Sequence, residues 1–86
     1  MTSLTVLVVE DETLIAEIIR IYLEERGHKM VGNPISYDEA VAGIITLKPD
    51  IVLLDIRLYG DKSGLDVAAY LRKHQPDLPF MFLELE

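Results

Sequence analysis

Three short runs along this chain are apolar almost without interruption: Thr5-Val6-Leu7-Val8-Val9, Ile51-Val52-Leu53-Leu54 and Phe80-Met81-Phe82-Leu83. Runs of that length and composition read as strands covered on both faces. Between them the period lengthens to that of a helix. Leu14, Ile15, Ile18, Ile19, Tyr22 and Leu23 recur at spacings that trace one helical face, while Glu17, Arg20, Glu24 and Glu25 take the other, and Gly27 supplies a left-handed C-terminal cap. Residues 28–31 are short and mixed in polarity and run into Gly32-Asn33-Pro34, which predicts an edge strand followed by a loop. Ser36 and Glu39 form a capping-box pattern ahead of a second helix whose inner stripe is Ala40, Val41, Ile44 and Ile45 and which ends at Pro49. A polar loop over 57–62 leads to a third helix, Gly64–His74, capped by Ser63, with Leu65, Ala68, Ala69 and Leu71 or Arg72 inward. Tyr22, Phe80 and Phe82 are expected in or near the core, and Tyr59 outside it.

The predicted order is βαβαβαβ. Strands that alternate with helices and are apolar throughout imply a parallel sheet with right-handed crossovers, an α/β fold. At 86 residues there is room for one small domain, able to bury about 60 to 65 % of the surface its unfolded chain exposes. With 50 % hydrophobic and 27 % charged residues the chain has a globular composition.

Charge and cysteine content then narrow the function classes. Fifteen acidic residues against eight basic ones leave a formal charge of −7, so a phosphate backbone would be repelled and nucleic-acid binding by this segment is not expected. The absence of cysteine excludes disulfides, thiolate metal sites and thiol catalysis. His28 and His74 stand far apart at element ends, without metal-ligand spacing. No apolar run approaches the roughly 18 residues of a membrane span, and Met1-Thr2-Ser3 has no basic leader, so a cytoplasmic location without membrane attachment is expected.

The chemistry concentrates at strand ends. Ile51-Val52-Leu53-Leu54 delivers Asp55, and the first strand delivers Glu10 and Asp11, to what a parallel sheet makes its ligand-binding edge. Three carboxylates converging there would repel one another, and such a cluster calls for a cation. Taken singly, Glu10 and Asp11 could be ordinary acids at a helix start, Asp55 an ordinary strand-end acid, and Lys62 a solvated loop lysine.

Glu10-Asp11 after the first strand, Asp55 about 44 residues on after the third, and Gly64 opening the next helix together resemble the receiver domain of two-component response regulators. The resemblance spans essentially the whole chain. It implies the flavodoxin-like three-layer fold with parallel strand order 2-1-3-4-5, here one receiver domain over 1–86 that stops after the fourth strand without the last helix-strand-helix portion. It further implies that Asp55 is the phosphoacceptor, taking a phosphoryl group from a histidine kinase or phosphotransfer protein. Mg²⁺ would be held by Glu10, Asp11, Asp55 and the backbone carbonyl of Arg57, the Arg57 side chain being solvated. Such a chain is a signalling module rather than an enzyme, catalysing at most its own phosphorylation.

Several positions depart from the family pattern. Glu84 stands where receivers usually carry Thr or Ser, the lysine after a fifth strand is not in the chain, Tyr59 replaces a frequent proline four residues past the acceptor, and the loop to Gly64 is one residue longer than its commonest form, with Gly60 as a turn residue. Without the hydroxyl and ammonium donors, the 86-residue chain would accept phosphate poorly, the loss of one such donor costing on the order of 10² to 10³ in rate. The alternative is a non-phosphorylatable fragment or pseudo-receiver that acts through protein contacts alone. A haloacid-dehalogenase-type phosphatase needs Asp-x-Asp at one strand end, which Asp55-Ile56-Arg57 lacks. The uncovered fourth strand implies a homodimer or higher assembly through that edge. Leu85-Glu86 is compatible with the remnant of an appended tag and carries no functional weight here.

Overall fold

A computed structural model describes residues 2–83. The expectations for Glu84 and for Leu85-Glu86 lie outside them. The element order is β1 (Thr5–Val9), α1 (Thr13–Glu25), β2 (Lys29–Gly32), α2 (Tyr37–Leu47), β3 (Ile51–Leu54), α3 (Gly64–His74) and β4 (Phe80–Phe82). The four strands form one sheet in the order β2-β1-β3-β4, every pair parallel. This is the flavodoxin-like receiver topology as far as its fourth strand. Among the described residues no helix is long and apolar enough to cross a membrane.

The central register is fixed at both ends. Val6 to Val9 pair with Ile51 to Leu54 residue for residue. Where the two strands begin, an Asp50 carboxylate oxygen accepts from the Thr5 amide at 2.8 Å and from its hydroxyl at 3.1 Å, while the Asp50 amide donates to the Thr5 carbonyl at 2.9 Å. Where they finish, the Asp55 amide donates to the Val9 carbonyl at 2.9 Å.

The two faces of the sheet are covered unequally. Leu7, Val9, Val52 and Leu54 share one cluster with Ala40 and Ile44 of α2 and with Val67, Ala68 and Leu71 of α3. Side chains alternate along a strand, so Val6 and Val8 point to the opposite face, where α1 packs beside β2 and contributes the buried Ala16. Among the described residues one helix covers that face. The consequence is a correction to the predicted stripe of α1: Ile15, Ile19 and Leu23 are half-buried, but Leu14 is 73 % and Ile18 59 % exposed, and Tyr22 lies outside with the Arg26 guanidinium 3.6 Å from its ring centre.

Similar rotations apply elsewhere. The inner side of α3 is Gly64, Val67, Ala68 and Leu71, which leaves Leu65, Ala69 and Arg72 exposed. Ile45 of α2 is also exposed, and of the β4 aromatics Phe80 packs against the core whereas Phe82 is exposed. Capping differs in one detail. Ser63 and Asp66 form the full reciprocal box at α3, but at α2 the Ser36 hydroxyl accepts from Glu39 while the Glu39 carboxylate reaches one residue further back, to the Ile35 amide at 3.0 Å. The left-handed C-caps are Gly27 after α1, as predicted, and Lys48 after α2, just ahead of Pro49.

The unequal faces set unequal tolerances. Leu71→Ala, in the sealed face, should cost about 2 to 5 kcal/mol, whereas Leu14→Ala on the outer side of α1 should stay within about 0.5 kcal/mol of the wild type. Urea unfolding midpoints at constant m-value measure both.

Candidate functional site

The end of β1 and the end of β3 are neighbours in the sheet, so the residues that follow them are neighbours too. Glu10 and Asp11 leave β1, Asp55 leaves β3, and carboxylate oxygens of all three lie within 4.8 Å of one another. Asp11 is exposed and Asp55 half-buried, but Glu10 is only 1 % exposed. No cation of the protein is paired with them in the ion pairs of the described residues, which are those of Arg20 with Glu17 and Glu24 on α1.

A carboxylate in such surroundings resists ionisation. Burial pushes Glu10 up from 4.5 to about 7; the Glu12 amide, donating to Glu10 Oε2 at 3.0 Å, pulls the other way, and the charges of Asp55 and Asp11, with a hydrogen bond shared with Asp55, add to the rise. The donor set is therefore all oxygen, crowded, and short of positive charge, which is the chemistry a hard divalent cation such as Mg²⁺ requires.

Two further residues hold the cluster and carry no signal in the apolar pattern. Asn33, read from sequence only as part of a loop, donates through Nδ2 to the carbonyls of Val8 at 2.8 Å and Glu10 at 3.0 Å, and the Glu10 amide donates to the Pro34 carbonyl at 3.2 Å. The Gly32-Asn33-Pro34 turn thus fixes the backbone of Glu10. On the other side, Gly64 lets α3 start against the end of β3: a Cβ at this position would run into the Asp55 carbonyl oxygen and come within 2.9 Å of its carbonyl carbon. The Gly64 amide also donates to Ile56 at 2.7 Å, closing the loop between them. Arg57 lies exposed in that loop, two residues past Asp55. Lys62 does not reach the carboxylates; its ammonium sits 4.3 Å from the centre of the Tyr37 ring.

The shift of Glu10 has a sign that can be measured. Its pKa in the folded chain lies above the ordinary value, so between 4.5 and about 7 the folded state holds a proton that the unfolded state releases. Without divalent ions, stability should fall as pH rises through that window and level off above it. Glu10→Gln should flatten this dependence and, above the window, stabilise the chain by on the order of 1 kcal/mol or more. Thermal melts in chelator across the window are the check.

Comparison with known proteins agrees with this geometry. The family model "Response regulator receiver domain" matches residues 6–85. The probable transcriptional regulatory protein TcrX of Mycobacterium tuberculosis is 41 % identical over 81 residues, which cover 92 % of this chain and 33 % of that protein. Among solved structures, the response regulator PhyR from Brucella abortus superposes with a TM-score of 0.84 at 36 % identity, covering 94 % of this chain and 33 % of the other. The receiver domain of PhyR from Erythrobacter litoralis gives 0.85 at 32 % identity, covering 95 % and 63 %. The chain thus spans about a third of the length of the curated relatives it matches. A family model that runs from β1 past β4, over a fold shared with its structural neighbours, makes this chain a member of the response regulator receiver domains.

Proposed function

We propose that this chain is the phosphoacceptor receiver of a cytoplasmic two-component system, with Asp55 as the acceptor. The observation that carries the reading is the convergence of Glu10, Asp11 and Asp55 at the carboxyl end of a parallel sheet. A carboxylate oxygen of Asp55 attacks the phosphorus of a phosphohistidine on a histidine kinase or phosphotransfer protein. The phosphorus–nitrogen bond breaks, the imidazole leaves, and an acyl phosphate remains on Asp55.

Glu10, Asp11, an Asp55 oxygen and the Arg57 carbonyl are the groups that would hold Mg²⁺, which when bound neutralises charge on the transferring phosphoryl oxygens. Asp11, exposed at the rim, is the open side of that set, and Glu10 is its buried base. Their work is positioning and electrostatics, because phosphoryl transfer leaves a protein little covalent chemistry to perform.

Incubation of the protein that carries this chain with acetyl phosphate and Mg²⁺ should add one phosphoryl group by intact mass, and Asp55→Asn should abolish the addition. Asp11→Asn should weaken Mg²⁺ binding from its expected affinity, which is in the millimolar range as an order of magnitude for an ion that keeps most of its waters. Equal Mg²⁺ affinity in wild type and Asp11→Asn would remove the metal assignment, and phosphorylation of Asp55→Asn would remove the acceptor.

The same reading includes self-association of the 86-residue chain. Among the described strands β4 pairs only with β3, and Met81, on the face that α1 leaves open, is 60 % exposed. An unpaired apolar edge is a template for another strand. Light scattering behind size exclusion should give a mass above that of the monomer, and Met81→Lys should lower it.

A further inference from the structure

Two loops face each other beside the acidic cluster. Residues 33–36 connect β2 to α2, and residues 55–63 connect β3 to α3. They are not packed solidly together: a groove of about 430 Å³ opens between them, walled by Ile35, Tyr37, Glu39, Tyr59, Asp61 and Lys62. What joins them is a small number of pins. The Tyr59 amide donates to the Ile35 carbonyl at 2.9 Å, Ser36 and Tyr59 form an isolated parallel bridge, and the Lys62 ammonium lies on the Tyr37 ring.

The 33–36 loop is itself tied to β1, because Pro34 accepts from Glu10 and Asn33 donates to Glu10 and Val8. A continuous path therefore runs from Glu10 through Pro34 and Ile35 to Tyr59 and back along the chain to Asp55. It links the two halves of the carboxylate cluster a second time, independently of the β1–β3 pairing. The side chain of Tyr59 takes little part in this, being 70 % exposed. The amide does the work, and Lys62 on Tyr37 holds the far end of the loop down.

We propose that Lys62 and Tyr37 are positioning residues for the acceptor loop: by clasping residues 55–63 onto the first turn of α2, directly after residues 33–36, they fix the Arg57 carbonyl and Asp55 relative to Glu10 and Asp11. The proposal rests on the reading of Asp55 as acceptor. It gives the longer loop, which has Tyr59 where a proline would stiffen the backbone, another source of rigidity.

The test is amide hydrogen exchange and chemical shift by NMR on the full chain, without divalent ions, comparing wild type with Lys62→Met and Lys62→Arg. Lys62 is exposed, so neither substitution threatens folding. Loss of an exposed cation–π contact should speed exchange of the Tyr59 amide by about two- to fivefold, with shift changes at Arg57 and Asp55 and a melting temperature lowered by only a few degrees, about what one such contact is worth in a domain of this size; Lys62→Arg should restore the wild-type pattern. Unchanged Tyr59 exchange in Lys62→Met would overturn the clasp. Faster exchange with no shift change at Arg57 or Asp55 would overturn the positioning role. Neither readout needs a bound ion, so failure of the wild-type chain to bind Mg²⁺ would count against the metal reading and leave this comparison intact.

Discussion

Everything at the acidic edge depends on the register between β1 and β3. Val9 stands beside Leu54, and so the next residues, Glu10, Asp11 and Asp55, have nowhere to go but toward one another. A slip of one residue would turn every side chain of β3 to the other face and move Asp55 out of reach. The hydrogen bonds between Thr5 and Asp50, at the opposite end of the strands from the cluster, are what make such a slip expensive. A polar contact far from any chemistry thus sets the distance between the groups that would perform it.

That convergence works against the fold. Glu10 is buried beside two other carboxylates with only an amide to help it, and its preference for the neutral form measures how unfavourable the arrangement is. In a domain this small, total stability is a few kcal/mol to about 10 kcal/mol, so one such group is a substantial fraction. The opposing contribution comes from the sealed face, where β1 and β3 meet α2 and α3 around Leu7, Val52, Leu54 and Leu71.

The strands were legible because continuous apolar runs have few other readings, and the candidate site was legible because a parallel sheet must send consecutive strand ends to one edge. The orientation of the helices was less so. Periodicity in α1 locates an apolar stripe through Leu14, Ile18 and Tyr22, but whether a stripe is covered depends on what stands beside it, and α1 is the one helix on its face of the described sheet. In α3 the small Gly64 and Ala68 and the branched Val67 turn inward in place of Leu65 because the helix must approach the sheet closely. Asn33 gave no signal at all: its amide bonds carbonyls 25 and 23 residues earlier in the chain, and no local pattern encodes that.

Gly64 joins these threads. Read from sequence it is a residue that opens a helix and fits a family pattern; in the structure it is the place where the first turn of α3 presses on the main chain of Asp55. Any side chain there must displace either the helix or the strand that ends at Asp55. The helix is held by Ser63 and Asp66 at its cap and by Val67 and Leu71 in the core, and the strand by its pairing with β1. Neither can yield cheaply, because each is committed to contacts made elsewhere. The backbone of Asp55 is therefore confined between a ladder and a helix start. What freedom the site retains lies downstream, in the loop from Ile56 to Lys62, where Leu58 alone packs against the core and the rest is held by a few pins across an open groove.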